Sequence, residues 1–210
     1  MNNFTWFFAR NEKRRNKLHF DQCLVYFRQF DQSRRAAFFA TVMPQMLLFY
    51  TIFSKSETWQ NTDLFKDGLN GLNNITNGGV PSVNELGTLS ETLKEHMHSS
   101  SDKFENPLAI IAVMATFGLA WSIDYLVKNT EEALNKFFLG NLYETIDQNY
   151  DCIEGLATAK RPFYGWSELE RRREIFLLEE LTRNDQLPKD WQKRFQQWSK
   201  PLFEIHSMND

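Results

Sequence analysis

Residues 36–53 read AAFFATVMPQMLLFYTIF, eighteen positions without a charge, and residues 107–127 read PLAIIAVMATFGLAWSIDYLV, twenty-one positions with Asp124 as the one charge. As helices these runs extend roughly 27 and 31 Å, close to the ~30 Å hydrocarbon layer of a bilayer. Pro44 and Gln45 interrupt the first run, and membrane helices tolerate such a break better than helices in water. Pro107 suits the first turn of the second helix, where a missing N–H costs nothing. A long helix buried in a water-exposed domain usually keeps a polar stripe. Here the polar positions of the second run are Thr116, Ser122 and Asp124, two of them at its far end. The expected fold is therefore all-α, with two transmembrane helices at 36–53 and 107–127 forming a hairpin around a loop of about 50 residues.

The flanking charges give that hairpin a direction. Residues 1–35 carry eight Lys/Arg against three acids, and residues 54–106 carry four against eight. Lysine and arginine excess marks the cytoplasmic side. The expected order is a cytoplasmic basic and amphipathic segment (1–35), the first span, an extracytoplasmic loop with one short helix (54–106), the second span and a cytoplasmic helical domain (128–210). Both termini are then cytoplasmic, in a bacterial inner membrane or its equivalent.

Composition removes other classes. The chain has 210 residues, a net charge of −3 and a mean hydropathy of −0.50. Two cysteines, Cys23 and Cys152, support neither a disulfide framework nor a cysteine-based metal site, and the charge balance gives no pull toward nucleic acid. The 19 Phe, 6 Trp and 6 Tyr are about twice an ordinary share. They are expected in the first span and along amphipathic faces.

Several residues are candidates for contact. Trp6 and Phe7 with Arg14 and Arg15 suit an interface with anionic headgroups. Phe20, Cys23, Leu24, Phe27 and Phe30 fall on one helical face, where packing accounts for Cys23 better than reactivity does. Asp124 and Lys128 form an intramembrane polar pair at i,i+4 near the cytoplasmic end. Ala112, Thr116 and Ala120 make a small-xxx-small face for helix packing. Trp191, Phe195 and Trp198 form an aromatic stripe among basic residues, suited to a membrane, a partner groove or closure of the C-terminal bundle. Residues 68–82 read as irregular because of their Gly and Asn, while Ser82–Glu85 and Ser167–Glu170 read as capping boxes. Arg171 to Arg173, set among glutamates, reads as a solvated face.

Catalytic motifs are missing: no G-x-S-x-G, no phosphate-binding glycine loop, no H-E-x-x-H and no C-x-x-C occurs. The expectation is a non-enzymatic scaffold with no cofactor and no small-molecule substrate. It is a subunit or assembly factor of a secretion, respiratory or transport complex, and its partners are membrane lipids and other complex subunits. One alternative is a membrane-inserting effector that self-assembles. Another is a soluble all-α adaptor whose apolar runs are its own core.

Overall fold

Pro44 divides the first apolar run. Its nitrogen has no proton for the Ala40 carbonyl, and its ring crowds that carbonyl. Residues 36–53 are therefore not one helix, as the sequence suggested, but parts of two that meet at Met43. In the computed structural model the chain folds as α1 (Asn3–Gln29), α2 (Gln32–Val42), α3 (Pro44–Ser56), α4 (Thr62–Thr76), α5 (Val83–Ser101), α6 (Pro107–Lys128), α7 (Glu131–Leu139), α8 (Trp166–Thr182) and α9 (Trp191–Phe195), with a 3-10 turn at Gln196–Ser199. The structure describes residues 3–56, 62–80, 82–101, 107–139, 146, 150, 165–183, 187–188 and 190–202. Of these, residues 3–12, 52–56, 62, 97–101 and 107–111 are described by their backbone alone. The all-α class holds, with no strand among the described residues, and among the residues described with their side chains no helix is long and apolar enough to cross a membrane.

The second apolar run forms one helix, α6, which is the axis of the fold. Helices α5, α3, α7 and α4 pack around it. Only five residues join α5 to α6, at most roughly 18 Å of chain, whereas α5 is roughly 28 Å long. The two helices must therefore run antiparallel. Glu91 of α5 lies 3.7 Å from Lys128 at the last residue of α6. The segment read as a loop on the far side of a bilayer thus packs against the second run, and it holds two helices where one short helix was expected.

One of those helices is α4, in the Gly- and Asn-rich stretch. Phe65, Leu69, Leu72 and Ile75 recur at helical spacing and are all buried, and that stripe outweighs the helix cost of its glycines. Gly68 has a specific use: a Cβ there would lie 2.6 Å from Leu119 Cδ2, so α4 approaches α6 more closely than an alanine permits. The helix ends in a Schellman motif. Gly78, at φ +81°, donates to Ile75 O, and Gly79 donates to Asn74 O. The following cap is the expected box: Ser82 N–H donates to Glu85 Oε2 and Glu85 N–H to Ser82 Oγ.

The phenylalanines meet inside the protein. Phe27 of α1 packs edge-on against Phe38 of α2 (5.2 Å between ring centres), Tyr125 of α6 (5.5 Å) and Phe138 of α7 (5.9 Å). Phe39 does the same with Phe137 at 4.9 Å. Such pairs each add about 0.5–1.5 kcal/mol beyond area burial. The expected stripe from Phe20 to Phe30 is the inner face of α1, packed on α7 and α8.

Helix α2 ties this core to its neighbours by bonding their open carbonyls. Arg34 Nε donates to Leu181 O at the end of α8, and Arg35 Nε to Phe27 O at the end of α1. Gln32 Nε2 reaches Leu126 O in the last turn of α6. Cations at these positions also oppose the negative helix termini. Asn129, in the left-handed region at φ 51°, closes α6 and receives a hydrogen bond from Arg35.

Candidate functional site

Helix α8 carries the unexpected chemistry. Its inward face runs Trp166, Glu170, Arg173, Glu174, Leu177, Leu181, and every one of these side chains is buried. Arg171 is buried as well, so only Arg172 of the three arginines is solvated, contrary to the sequence reading. The helix also starts differently. Gly165, at φ 83°, is its N-cap and makes no side-chain cap bond, while Ser167 is buried inside the first turn. The second capping box is absent because Glu170 turns inward to Arg173, 2.5 Å away.

Three buried donors converge where α8 meets α1. His19 and Cys23 stand one turn apart on α1, and Glu174 comes from α8. Glu174 Oε2 lies 2.5 Å from His19 Nε2, and Cys23 Sγ lies 3.4 Å from the same nitrogen but 4.0 Å from Nδ1. The three ligand atoms fall within 4.8 Å of one another. A nucleophilic relay needs the thiol on one ring nitrogen and the carboxylate on the other. Here both face Nε2. Burial and the nearby Glu174 charge push the Cys23 thiol well above its ordinary range, which also disfavours a nucleophilic thiolate. The arrangement is suited to holding a metal ion or locking two helices, not to acyl transfer.

Around this triangle the polar groups are interlocked. Arg171 Nη1 donates to Asn16 Oδ1 at 2.8 Å. Arg173 Nη1 donates to Trp198 O, and its Nη2 to Val42 O. Tyr150 donates its hydroxyl proton to Gln45 Oε1 and accepts the Leu202 N–H. Burial, reinforced by Glu174, pushes the Glu170 carboxyl up to about 7 against the pull of Arg173 and Gln45. Outside the triangle a groove of about 470 Å³ opens between α1 and α8. His19 itself is part of its wall, with Arg15, Gln22, Arg172 and the exposed Leu18.

A second polar cluster surrounds Asp124. Lys128 is 3.3 Å from its carboxylate, as the i,i+4 spacing suggested. The closer partners come from α5: Lys94 Nζ at 2.6 Å and the Ser90 hydroxyl at 2.7 Å. Burial works to raise the Asp124 pKa, but the Lys94 and Ser90 hydrogen bonds and the Lys128 charge together hold it below its ordinary value. Burial likewise works to lower the Lys94 pKa and is outweighed by Asp124 and Glu91. Asp124 therefore belongs to a junction between α5 and α6.

Other expected contact residues are dispersed. The side chains of Trp6 and Phe7 lie outside the described residues; Arg14 and Arg15 are exposed on α1. Trp191 and Phe195 are buried and stack at 3.8 Å, with Trp191 Nε1 donating to Thr41 Oγ1. Trp198 is half-buried against Phe176. The stripe thus faces the bundle. Ala112, Thr116 and Ala120 are buried, and Ala120 O lies 3.0 Å from the Ser90 hydroxyl of α5. Sequence reasoning missed His19, Cys23 and Glu174 as a group because 155 positions separate His19 from Glu174. The readable signal was the H-x-x-x-C spacing inside an apolar stripe. Comparison with family models, curated proteins and solved structures gives no match.

Proposed function

We propose that the chain is a non-catalytic, all-helical adaptor that works by contact with other proteins, its two apolar runs forming its own core. The observation that carries this reading is the bonding of Asp124 to Ser90 and Lys94. A polar helix packed against α6 puts the intervening segment beside a run that was expected to be enclosed by lipid. The burial of every residue from Ala36 to Val42 under other helices supports the same reading. What remains for the two-span assembly factor is the Lys/Arg asymmetry of residues 1–35 over 54–106. An interaction role is supported by α1, whose Leu18 and Val25 stand exposed seven residues apart, on one side of the helix.

The test has two parts. The full chain, expressed and lysed without detergent, is expected in the supernatant as a helical species with one cooperative melt. Recovery only in detergent from carbonate-washed membranes returns the two-span reading, and leakage of liposomes by the purified chain returns the inserting effector. A stoichiometric partner is then expected to co-purify with the wild type and to be lost from Leu18→Asp/Val25→Asp at unchanged melting temperature. A wild-type chain that carries no partner sinks the adaptor reading.

A further inference from the structure

We propose that His19, Cys23 and Glu174 form a binding site for one divalent metal ion of the zinc class. The three donors are an imidazole nitrogen, a sulfur and a carboxylate oxygen, the mixture that a borderline-soft ion accepts and that calcium or magnesium does not. Bond lengths near 2.0–2.3 Å at tetrahedral angles place nitrogen and sulfur ligands about 3.5 Å apart. The Cys23 Sγ to His19 Nε2 distance is 3.4 Å, so this edge of the coordination polyhedron is already set. The Nε2 to Glu174 Oε2 edge is 2.5 Å, and insertion of the ion opens it by about 0.9 Å, toward the ~3.4 Å of a nitrogen–oxygen ligand pair. A single carboxylate moving on a flexible side chain accomplishes that.

Placement favours the assignment. The three residues are buried, and the acid and thiol converge on one nitrogen instead of dividing between the two. A dication bound to a thiolate and a carboxylate leaves no net charge in the interior, where an unpaired charge is costly. Cys23 gives up its proton to solvent on binding. Three protein ligands leave one position of a tetrahedron. Because His19 is part of the groove wall, water can enter from that side to fill it. The bound ion ties α1 to α8 directly and so joins the first described helix to the last long one.

The full-length chain, stripped with a chelator, is titrated with cobalt(II) and followed by absorption. Saturation at one equivalent is expected, with a thiolate-to-cobalt charge-transfer band and the strong visible bands of tetrahedral cobalt, bleached by zinc(II). Cys152→Ser keeps the spectrum, Cys23→Ser loses the charge-transfer band, and Glu174→Gln and His19→Gln weaken binding at least tenfold. Circular dichroism checks that each variant is folded. Should Cys23→Ser unfold, the stoichiometry of the wild type and the Cys152→Ser and Glu174→Gln titrations still decide the matter. A wild-type chain that binds no cobalt, or a charge-transfer band that survives in folded Cys23→Ser, overturns the site and leaves His19–Glu174 as a helix-locking pair.

Discussion

Arg173 donates to the carbonyl of Val42, a group that the break at Pro44 leaves without its helical donor. In an unbroken helix the Met46 N–H would bond Val42 O; here it bonds Met43 O at 2.9 Å. A proline thus creates a buried acceptor in one element, and a cation 131 positions later satisfies it. The same guanidinium holds Glu170 and the Trp198 carbonyl.

Removing that cation should be severe. Arg173→Ala leaves Glu170 buried without its cation and Val42 O without its donor, and is expected to cost about 3–5 kcal/mol in urea unfolding. Arg173→Lys should recover little, because one ammonium cannot reproduce a planar fork reaching three acceptors. A double-mutant cycle with Glu170→Gln should show strong coupling. Additive losses would mean that the two side chains act independently.

Glu170 should also make stability fall as pH rises through the neutral range. Its carboxyl titrates near 4.5 in the unfolded chain and at about 7 when folded. Between these values the folded protein keeps a proton that the unfolded chain has lost. The resulting stabilisation is complete below about pH 4.5 and is lost as pH approaches and passes 7. At 1.36 kcal/mol per unit the effect is on the order of 3 kcal/mol. Unfolding free energies measured from pH 5 to 8 should slope downward in the wild type and flatten in Glu170→Gln. Parallel curves would show that Glu170 does not titrate in this window.

Much of the fold was written in the periodicity of the chain. The apolar face of α1 follows from its spacing, α6 from its unbroken apolar run and the cap at Ser82 from its capping box. The environment of the apolar runs was not, since a helix enclosed by other helices has the same composition as one enclosed by lipid. Residues 36–42 are apolar because α4, α8 and the 3-10 turn cover α2, which no local window can register. The site was harder still. On α8 the stripe from Leu177 and Leu181, extended back two turns toward Trp166, passes through Glu174, Arg173 and Glu170. Charge alone assigned those residues to water, whereas their helical phase placed them in the core. Gly68 misled in the same manner, because a residue valued for what it omits reads locally as a helix breaker.

Gly68 gives a test that separates propensity from packing. Alanine in an exposed helix interior improves on glycine by about 1 kcal/mol. At Gly68 the added methyl meets Leu119, itself fully buried, and the expected outcome is a net loss of about 1–3 kcal/mol. A methyl added at Gly87 of α5 would meet nothing within 4 Å, so Gly87→Ala should stabilise by about 0.5–1 kcal/mol. Thermal melts of the two variants should therefore move in opposite directions. A gain at both positions would remove the close approach of α4 to α6.

The Asp124 junction carries the last prediction, and its sign is opposite to that of Glu170. The folded carboxylate lies below its ordinary 3.8, with burial outweighed by Lys94, Ser90 and Lys128. Its contribution is present above pH 3.8 and is lost as pH falls through the lower folded value. Asp124→Asn retains the shape but not the charge, and should cost about 1.5–3 kcal/mol at pH 7, the range for hydrogen bonds to charged groups. As pH falls through that lowered folded value the wild-type carboxyl is itself neutralised, so the gap between wild type and variant should close. Lys94→Met should lose a similar amount at pH 7, and the double variant less than the sum, since both changes remove one interaction. Because that interaction holds α5 on α6, hydrogen exchange in Val83–Ser101 should accelerate in either variant before α8 is affected. Unchanged protection of α5 would mean that the apolar contacts of Leu86 and Leu93 fix the helix without the ion pair.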